Sequence, residues 1–341
     1  YTDDGMGRKY SFIVNGRPIF IRGENMIIGD AFISRTCKKR YSRLIDNALK
    51  SNLNCIRVWG GAYYPPEEFF DLCDQEGILV YQDLMFACTF YPPTPDMTAN
   101  VIEEVKENVA RFAHHPSLAL LCGNNELDII YTTMTSDEER TSALRRLFGG
   151  NDTVDAKTRE FMRMAYNSWF VEAFGQICRS LAPDTDYVSG SPEAGRPLMA
   201  KSIWDYLSKG DMHYYLQYDG NRPYKTMADL HCRFISELGF QSYPDMKTIR
   251  AFASPEDMRP DSPIMYAHQK CAGGNAAIEL YMEREYGVPE DFENYVYLSQ
   301  MTAAKIMGFS IEHFRIESDY CRGLILWQLN DCWPVVSWSG I

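Results

Sequence analysis

No stretch of this 341-residue chain is apolar over anything near the roughly 18 residues a membrane-spanning helix needs. The longest apolar runs, such as Leu118 to Cys122, stop after a few positions. Basic residues are in deficit: 34 Lys and Arg stand against 46 Asp and Glu, a net charge of −12. An acidic chain repels phosphate backbones and anionic lipid surfaces, which argues against nucleic acid and membrane as partners. Histidine is scarce, with six in all. None falls in an HExxH pair or another tight ligand spacing, so the sequence predicts no metal site. The ten cysteines contain no CxxC, and Cys55 and Cys122 lie inside apolar runs where a free thiol serves as a small hydrophobe. A Walker loop, a GxGxxG turn and a GxSxG elbow are all missing, which leaves nucleotide, dinucleotide and α/β-hydrolase chemistry unsupported. No cofactor is expected. There is no repeat of 20–50 residues and no Pro/Ser-rich linker. The chain starts at Tyr1 without a signal-peptide pattern. We therefore expect a piece of a longer multidomain protein, and the compartment stays open among periplasmic, secreted and lysosomal.

Aromatic residues are plentiful: 22 Tyr, 18 Phe and 6 Trp, or 13% of the chain. Rings beyond the needs of a core commonly line sugar clefts, although composition alone fits a large aromatic core as well. Short apolar runs alternate with amphipathic ones. Strands are predicted at 19–22, 54–59, 78–83, 117–122, 186–190, 211–216, 233–238 and 323–329. Helices are predicted at 38–51, 66–76, 99–114 and 156–182, with two more filling about 256–316. Tyr41, Leu44, Ile45, Ala48 and Leu49 set the helical period of the first of these. Residues 132–156 read as an insertion. Eight strands separated by helices predict a single α/β domain over 1–341, a (β/α)8 TIM barrel in which no helix follows the last strand.

Active sites of such barrels lie at the C-terminal strand ends. Those ends carry Trp59, Asp83, Asn124-Asn125-Glu126, Ser189 and Ser191, His213 and Tyr215, Glu237, and Trp327, Gln328, Asn330 and Asp331. Glu126 and Glu237 close strands four and seven, on opposite sides of the mouth. Two opposed carboxyls are what glycoside hydrolysis needs, one to protonate the leaving oxygen and one to attack the anomeric carbon or activate water.

The segments RVWGG (57–61), EFFDLCDQEGILVYQD (68–83), LCGNNE (121–126), FISELGFQS (234–242) and LWQLNDCWPVVSWS (326–339) resemble glycoside hydrolase family 2, and within it the β-mannosidases. NGRPIFIRGENMI (15–27) looks like the start of that family's catalytic barrel. The resemblance implies a retaining mechanism with Glu126 as acid/base and Glu237 as nucleophile. It implies Glu237 ionised and Glu126 protonated at rest, with the carboxyls about 5–5.5 Å apart. It further implies sugar-subsite walls from Trp59 and Trp327, a 2-hydroxyl contact from Asn125, and hydroxyl recognition or support from His213, Asp83, Tyr215 and His268. The loop Ser191–Gly195 carries Glu193 where many relatives show a small polar residue, and we expect it to flank the sugar. The implied partner is a β-linked mannose-containing carbohydrate, together with flanking β-sandwich domains of the parent chain. Other family 2 activities (β-galactosidase, β-glucuronidase, exo-β-glucosaminidase, endo-β-mannosidase), a non-catalytic carbohydrate-binding barrel and an inactive fragment remain alternatives.

Overall fold

A computed structural model describes the chain except residues 1, 4, 6, 136–155, 199, 201–202, 217–219 and 341. Eight parallel strands form one curled sheet: β1 (Ile21–Met26), β2 (Cys55–Val58), β3 (Leu79–Asp83), β4 (Leu118–Cys122), β5 (Asp186–Val188), β6 (Met212–Tyr214), β7 (Ile235–Leu238) and β8 (Gly323–Leu326). Their spatial order is β6-β7-β8-β1-β2-β3-β4-β5. This is the expected (β/α)8 barrel. Among the described residues no ladder joins β5 to β6. That seam is closed instead by the Asp211 amide donating to the Glu193 carbonyl at 3.1 Å and the Glu193 amide donating to Asp211 Oδ1 at 2.6 Å. Arg8 clamps it from the N-terminal segment through an ion pair with Glu193 at 2.9 Å.

Alternation along the strands sorts residues between two environments. Ile21, Cys55, Tyr81, Leu120, Cys122, Val188 and Ile325 fill the barrel interior with Phe234 and Tyr10. Tyr10 enters this core from the N-terminal segment and stacks on Phe234 at 5.1 Å. Ile56, Val58, Val80 and Leu121 face outward, into the layer that the helices cover. Helix α1 (Lys38–Lys50) buries Tyr41, Ile45 and Ala48 there, part of the predicted stripe. Helix α2 (Glu67–Glu76) ends at Gly77 in the left-handed region, φ 71°, as a glycine C-cap should.

The differences from the sequence reading have local causes. The first strand runs Ile21–Met26 instead of 19–22, because Arg17–Ile19 pairs with Phe12–Val14 in a hairpin. Asn15 and Gly16 at its tip both have positive φ, 51° and 76°, the Asn-Gly turn that matches strand twist. Helix α3 (Pro95–Phe112) begins earlier than 99, since Thr94 caps the Met97 amide and Pro95 suits the first turn. The stretch 256–316 holds three helices of six or more residues, Pro263–His268, Gly274–Glu285 and Phe292–Ile316. The helical run from Ala156 to Leu181 contains a π segment, Asn167–Ala173. Helix α4 (Leu127–Thr135) takes the start of the expected insertion, and 136–155 lie outside the described residues. Among the described residues no helix follows β8, and no helix is long and apolar enough to cross a membrane. A groove of about 850 Å³ lies beside β8, lined by Glu24, Gln300, Met307, Leu326 and Trp338; neither Glu126 nor Glu237 lines it.

Candidate active site

β4 ends in Gly123-Asn124-Asn125, and the backbone then turns sharply. Glu126 has φ +64°, a left-handed conformation that costs a non-glycine residue about 1–3 kcal/mol. Two bonds hold it there. The Glu126 amide donates to the Ser191 carbonyl at 2.7 Å, and the Asn124 side chain caps the Leu127 amide at 3.1 Å, starting α4. The Glu126 carboxyl is thus aimed by backbone over the barrel mouth.

Glu237 comes from β7, where the pairing with β6 skips a residue: Met212 lies beside Ile235 but His213 beside Glu237. That irregularity breaks the alternation set by Phe234 and brings Glu237 to the inner side. Arg57, inward-facing on β2 and fully buried, donates to Glu237 Oε1 at 2.8 Å. The same guanidinium donates to both oxygens of Asp83, at 3.2 and 2.8 Å, to Asn25 at 2.9 Å and to Asn125 at 2.7 Å. Tyr215 donates to Glu237 Oε2 at 2.7 Å. His213 joins the two carboxyls: its Nδ1 lies 2.9 Å from Glu126 Oε1 and 3.5 Å from Glu237 Oε2. One oxygen of each carboxyl and a ring nitrogen of His213 all lie within 4.8 Å of one another. That set has the donor types of a cation site, yet Arg57 already supplies the positive charge beside Glu237. Two other groups, Glu67 with His114 and His115 and Asp71 with Asp74 and His115, sit on the outer surface, where both ring nitrogens of His115 are taken by Asp74 and Glu67.

Burial pushes the carboxyls of both Glu126 and Glu237 up. For Glu126 the bond and charge of His213 outweigh burial and hold it below the ordinary range. Glu237 stays above it, because burial and the Glu126 charge exceed the pull of His213, Arg57 and Tyr215. This is the reverse of the order expected from sequence, and it comes from His213 lying against Glu126 at 2.9 Å.

The fold brings Asn125, Glu126, His213, Tyr215 and Glu237 together. Trp59 and Trp327 meet edge to face at 5.1 Å and 75°, forming one contiguous aromatic surface. Asp83 has no exposed surface and grips Arg57, which places it behind the site. His268 is stacked on Phe252 at 3.7 Å, tilted against Trp333 and bonded to the Pro334 carbonyl; none of its described contacts reaches the carboxyl pair. Glu193 does not flank an open subsite: it is fully buried, and burial raises its carboxyl despite Arg8. The sequence reading gave no role to Arg57 or Cys88. A lone arginine in an apolar strand was the available signal for the first. Cys88, φ +53°, places Sγ 3.4 Å from Glu126 Oε2 and 3.3 Å from Asn125 Nδ2, and nothing in its surroundings marks it in sequence.

No protein-family model matches the chain. Among curated proteins it is 33% identical to β-mannosidase B of Thermothelomyces thermophilus and 31% identical to β-mannosidase B of Aspergillus flavus, in each case over 98% of this chain and 38% of the relative. A solved β-D-mannosidase from Dictyoglomus thermophilum superposes with a TM-score of 0.85 at 31% identity, over 99% of this chain and 38% of that one. These likenesses support a glycoside hydrolase family 2 catalytic domain. An exo-chitosanase from Amycolatopsis orientalis shares the fold at 18% identity and a TM-score of 0.66. Within family 2 the chain is most like the β-mannosidases, and it spans 38% of the length of the curated relatives it matches.

Proposed function

We propose that this family 2 barrel hydrolyses terminal β-D-mannosides with retention, Glu237 acting as nucleophile and Glu126 as acid/base. The supporting observation is the carboxyl spacing. One oxygen of each carboxyl lies within 4.8 Å of the other, and His213 Nδ1 reaches both, at 2.9 and 3.5 Å; this close approach supports the short carboxyl separation of a retaining pair, about 5–5.5 Å. In the first step a Glu237 oxygen attacks C1, the C1–O bond breaks, and Glu126 gives its proton to the departing oxygen. Arg57 and Tyr215 fix the attacking carboxylate without consuming both of its oxygens' lone pairs. In the second step water attacks C1 of the glycosyl ester and gives its proton to Glu126, and Glu237 leaves as carboxylate. Esterification removes the Glu237 charge that had opposed ionisation of Glu126, so the same group turns from acid to base. The Trp59–Trp327 wall packs against the sugar, and the Asn125 amide serves the 2-hydroxyl. The same reading makes the chain one domain of a longer enzyme with flanking β-sandwiches.

The test is a panel of aryl β-glycosides (manno, galacto, gluco, glucurono, glucosamino), with labelling by a 2-deoxy-2-fluoro-β-mannosyl fluoride. Release from the mannoside, abolished in Glu237→Gln, with the label on the Glu237 peptide, is expected. Release from another sugar but not from mannose would sink the mannoside assignment. A label elsewhere, or an active Glu237→Gln, would sink the mechanism.

A further inference from the structure

Behind His213, away from the carboxyls, lies a fully buried relay that the reaction scheme leaves unused. Ser191 Oγ sits 3.1 Å from His213 Nε2 and donates to Asp211 Oδ2 at 2.6 Å. Ser236 Oγ donates to the same oxygen at 2.6 Å. Tyr10 Oη and the Glu193 amide donate to Oδ1, at 3.0 and 2.6 Å. Ser191, Ser236 and Asp211 have no exposed surface.

We propose that Ser191 and Asp211 are positioning residues that fix the His213 tautomer with the proton on Nε2, and so make Glu126 and His213 hold one acid/base proton between them. The inference rests on the role given above to Glu126. A carboxylate surrounded by four donors claims the one hydroxyl proton of Ser191. Ser191 Oγ then presents only lone pairs to Nε2, so Nε2 must carry a hydrogen. Nδ1 is left facing Glu126 Oε1 at 2.9 Å with room for a single proton, on the ring or on the carboxyl. When the leaving group has taken a proton from this pair, two sets of lone pairs face each other across that gap. The pair then has a strong affinity for a proton, which is what deprotonating the attacking water requires. A histidine free to choose its tautomer would avoid this. Neutral, it would place its hydrogen on Nδ1, bond the Glu126 carboxylate, and weaken it both as acid and as base.

The other charged or titratable groups facing this pair are Glu237 at 3.5 Å from Nδ1, Arg57, Asp83 and Tyr215 around Glu237, and Cys88 on the far oxygen of Glu126. None contacts Ser191, so removing its hydroxyl leaves them in place. Ser191→Ala should move the basic limb of the kcat/KM–pH profile on an aryl β-mannoside down by about one unit or more, the size of one charge-assisted hydrogen bond. Ser191→Thr keeps the hydroxyl and should restore the limb. Ser236→Ala removes a bond to the same Asp211 oxygen without touching His213, and should leave the limb in place. Long-range 1H–15N spectra of 15N-histidine protein give a readout that needs no turnover. Neutral His213 should show Nε2–H in the parent chain and Nδ1–H in Ser191→Ala. Nδ1–H in the parent chain, or equal limb shifts from Ser191→Ala and Ser236→Ala, would overturn the proposal. Silence on every glycoside would count against the proposed activity, and the spectra would still decide the tautomer.

Discussion

Arg57→Met is the substitution whose consequences the site fixes most closely. Methionine fills similar volume with an unbranched chain but supplies no donor. Asp83 loses two bonds, Glu237, Asn25 and Asn125 lose one each, and two buried carboxyls are left without their cation. Removing one partner of a buried ion pair costs about 3–5 kcal/mol. Unfolding entropy of roughly 2.1 cal/mol/K per residue gives about 0.7 kcal/mol/K for a chain of this length, so Tm should fall by about 4–7 °C. The effect should also depend on pH. Burial already raises Asp83, and Arg57 is the main group holding it down. Without Arg57 the folded value climbs further above the unfolded one. The penalty is absent below the unfolded carboxyl value, about 4, and grows as pH rises through the folded value. Calorimetry of both proteins from pH 5 to 8 should therefore show a gap in Tm that widens with pH. A fall under about 1 °C, or the same fall at pH 5 and pH 8, would mean that water from the mouth solvates these carboxyls, and the account of Arg57 as their essential counter-charge would be wrong.

Two further outcomes follow from other places in the fold. Burial pushes Glu24 up to about 8, and its Oε2 has no hydrogen-bond partner among the described residues. Its folded value is raised, so the parent chain loses stability as pH climbs from 4.5 toward 8 and Glu24→Gln does not. The variant should gain up to about 5 kcal/mol above pH 8 and nothing at pH 4; a Tm difference flat in pH would refute this. A Cβ on Gly61 would stand 2.1 Å from the Trp59 ring, so Gly61→Ala should displace the indole, alter tryptophan fluorescence and raise KM for the mannoside several-fold. Unchanged KM would remove Trp59 from the sugar wall.

Much of this architecture was legible because barrel strands are short, apolar and punctuated. SLALLC ends in Gly123 and RFISEL in Gly239, so Glu126 and Glu237 could be placed at strand ends without any coordinates. Boundaries blurred where a polar residue serves the interior. GENM looked unlike a strand because Asn25 points inward to Arg57, and that only makes sense once β2 lies beside β1. The family resemblance implied a sugar contact for His268, but its ring pairs with Phe252, sixteen positions away. The Ser191–Asp211 relay was invisible for a different reason. Each member is an ordinary residue, and its meaning lies in contacts across the seam.

The seam between β5 and β6 has a consequence for how competence arises. Glu126 follows β4 on one side of it, and His213 and Glu237 lie on β6 and β7 on the other. The Glu126–His213 bond, which the proposed mechanism gives the acid/base proton, is therefore a cross-tie of the hoop beside the clasp that Arg8, Glu193 and Asp211 make. The clasp joins parts of the chain about two hundred residues apart, as Tyr10 and Asp211 are. Every ladder from β6 round to β5 can be complete while the Glu126–His213 contact is still unmade. The geometry of the carboxyl pair is a property of the closed ring, and on the proposed function whatever loosens the ring at its N-terminal clasp acts on the chemistry at its mouth.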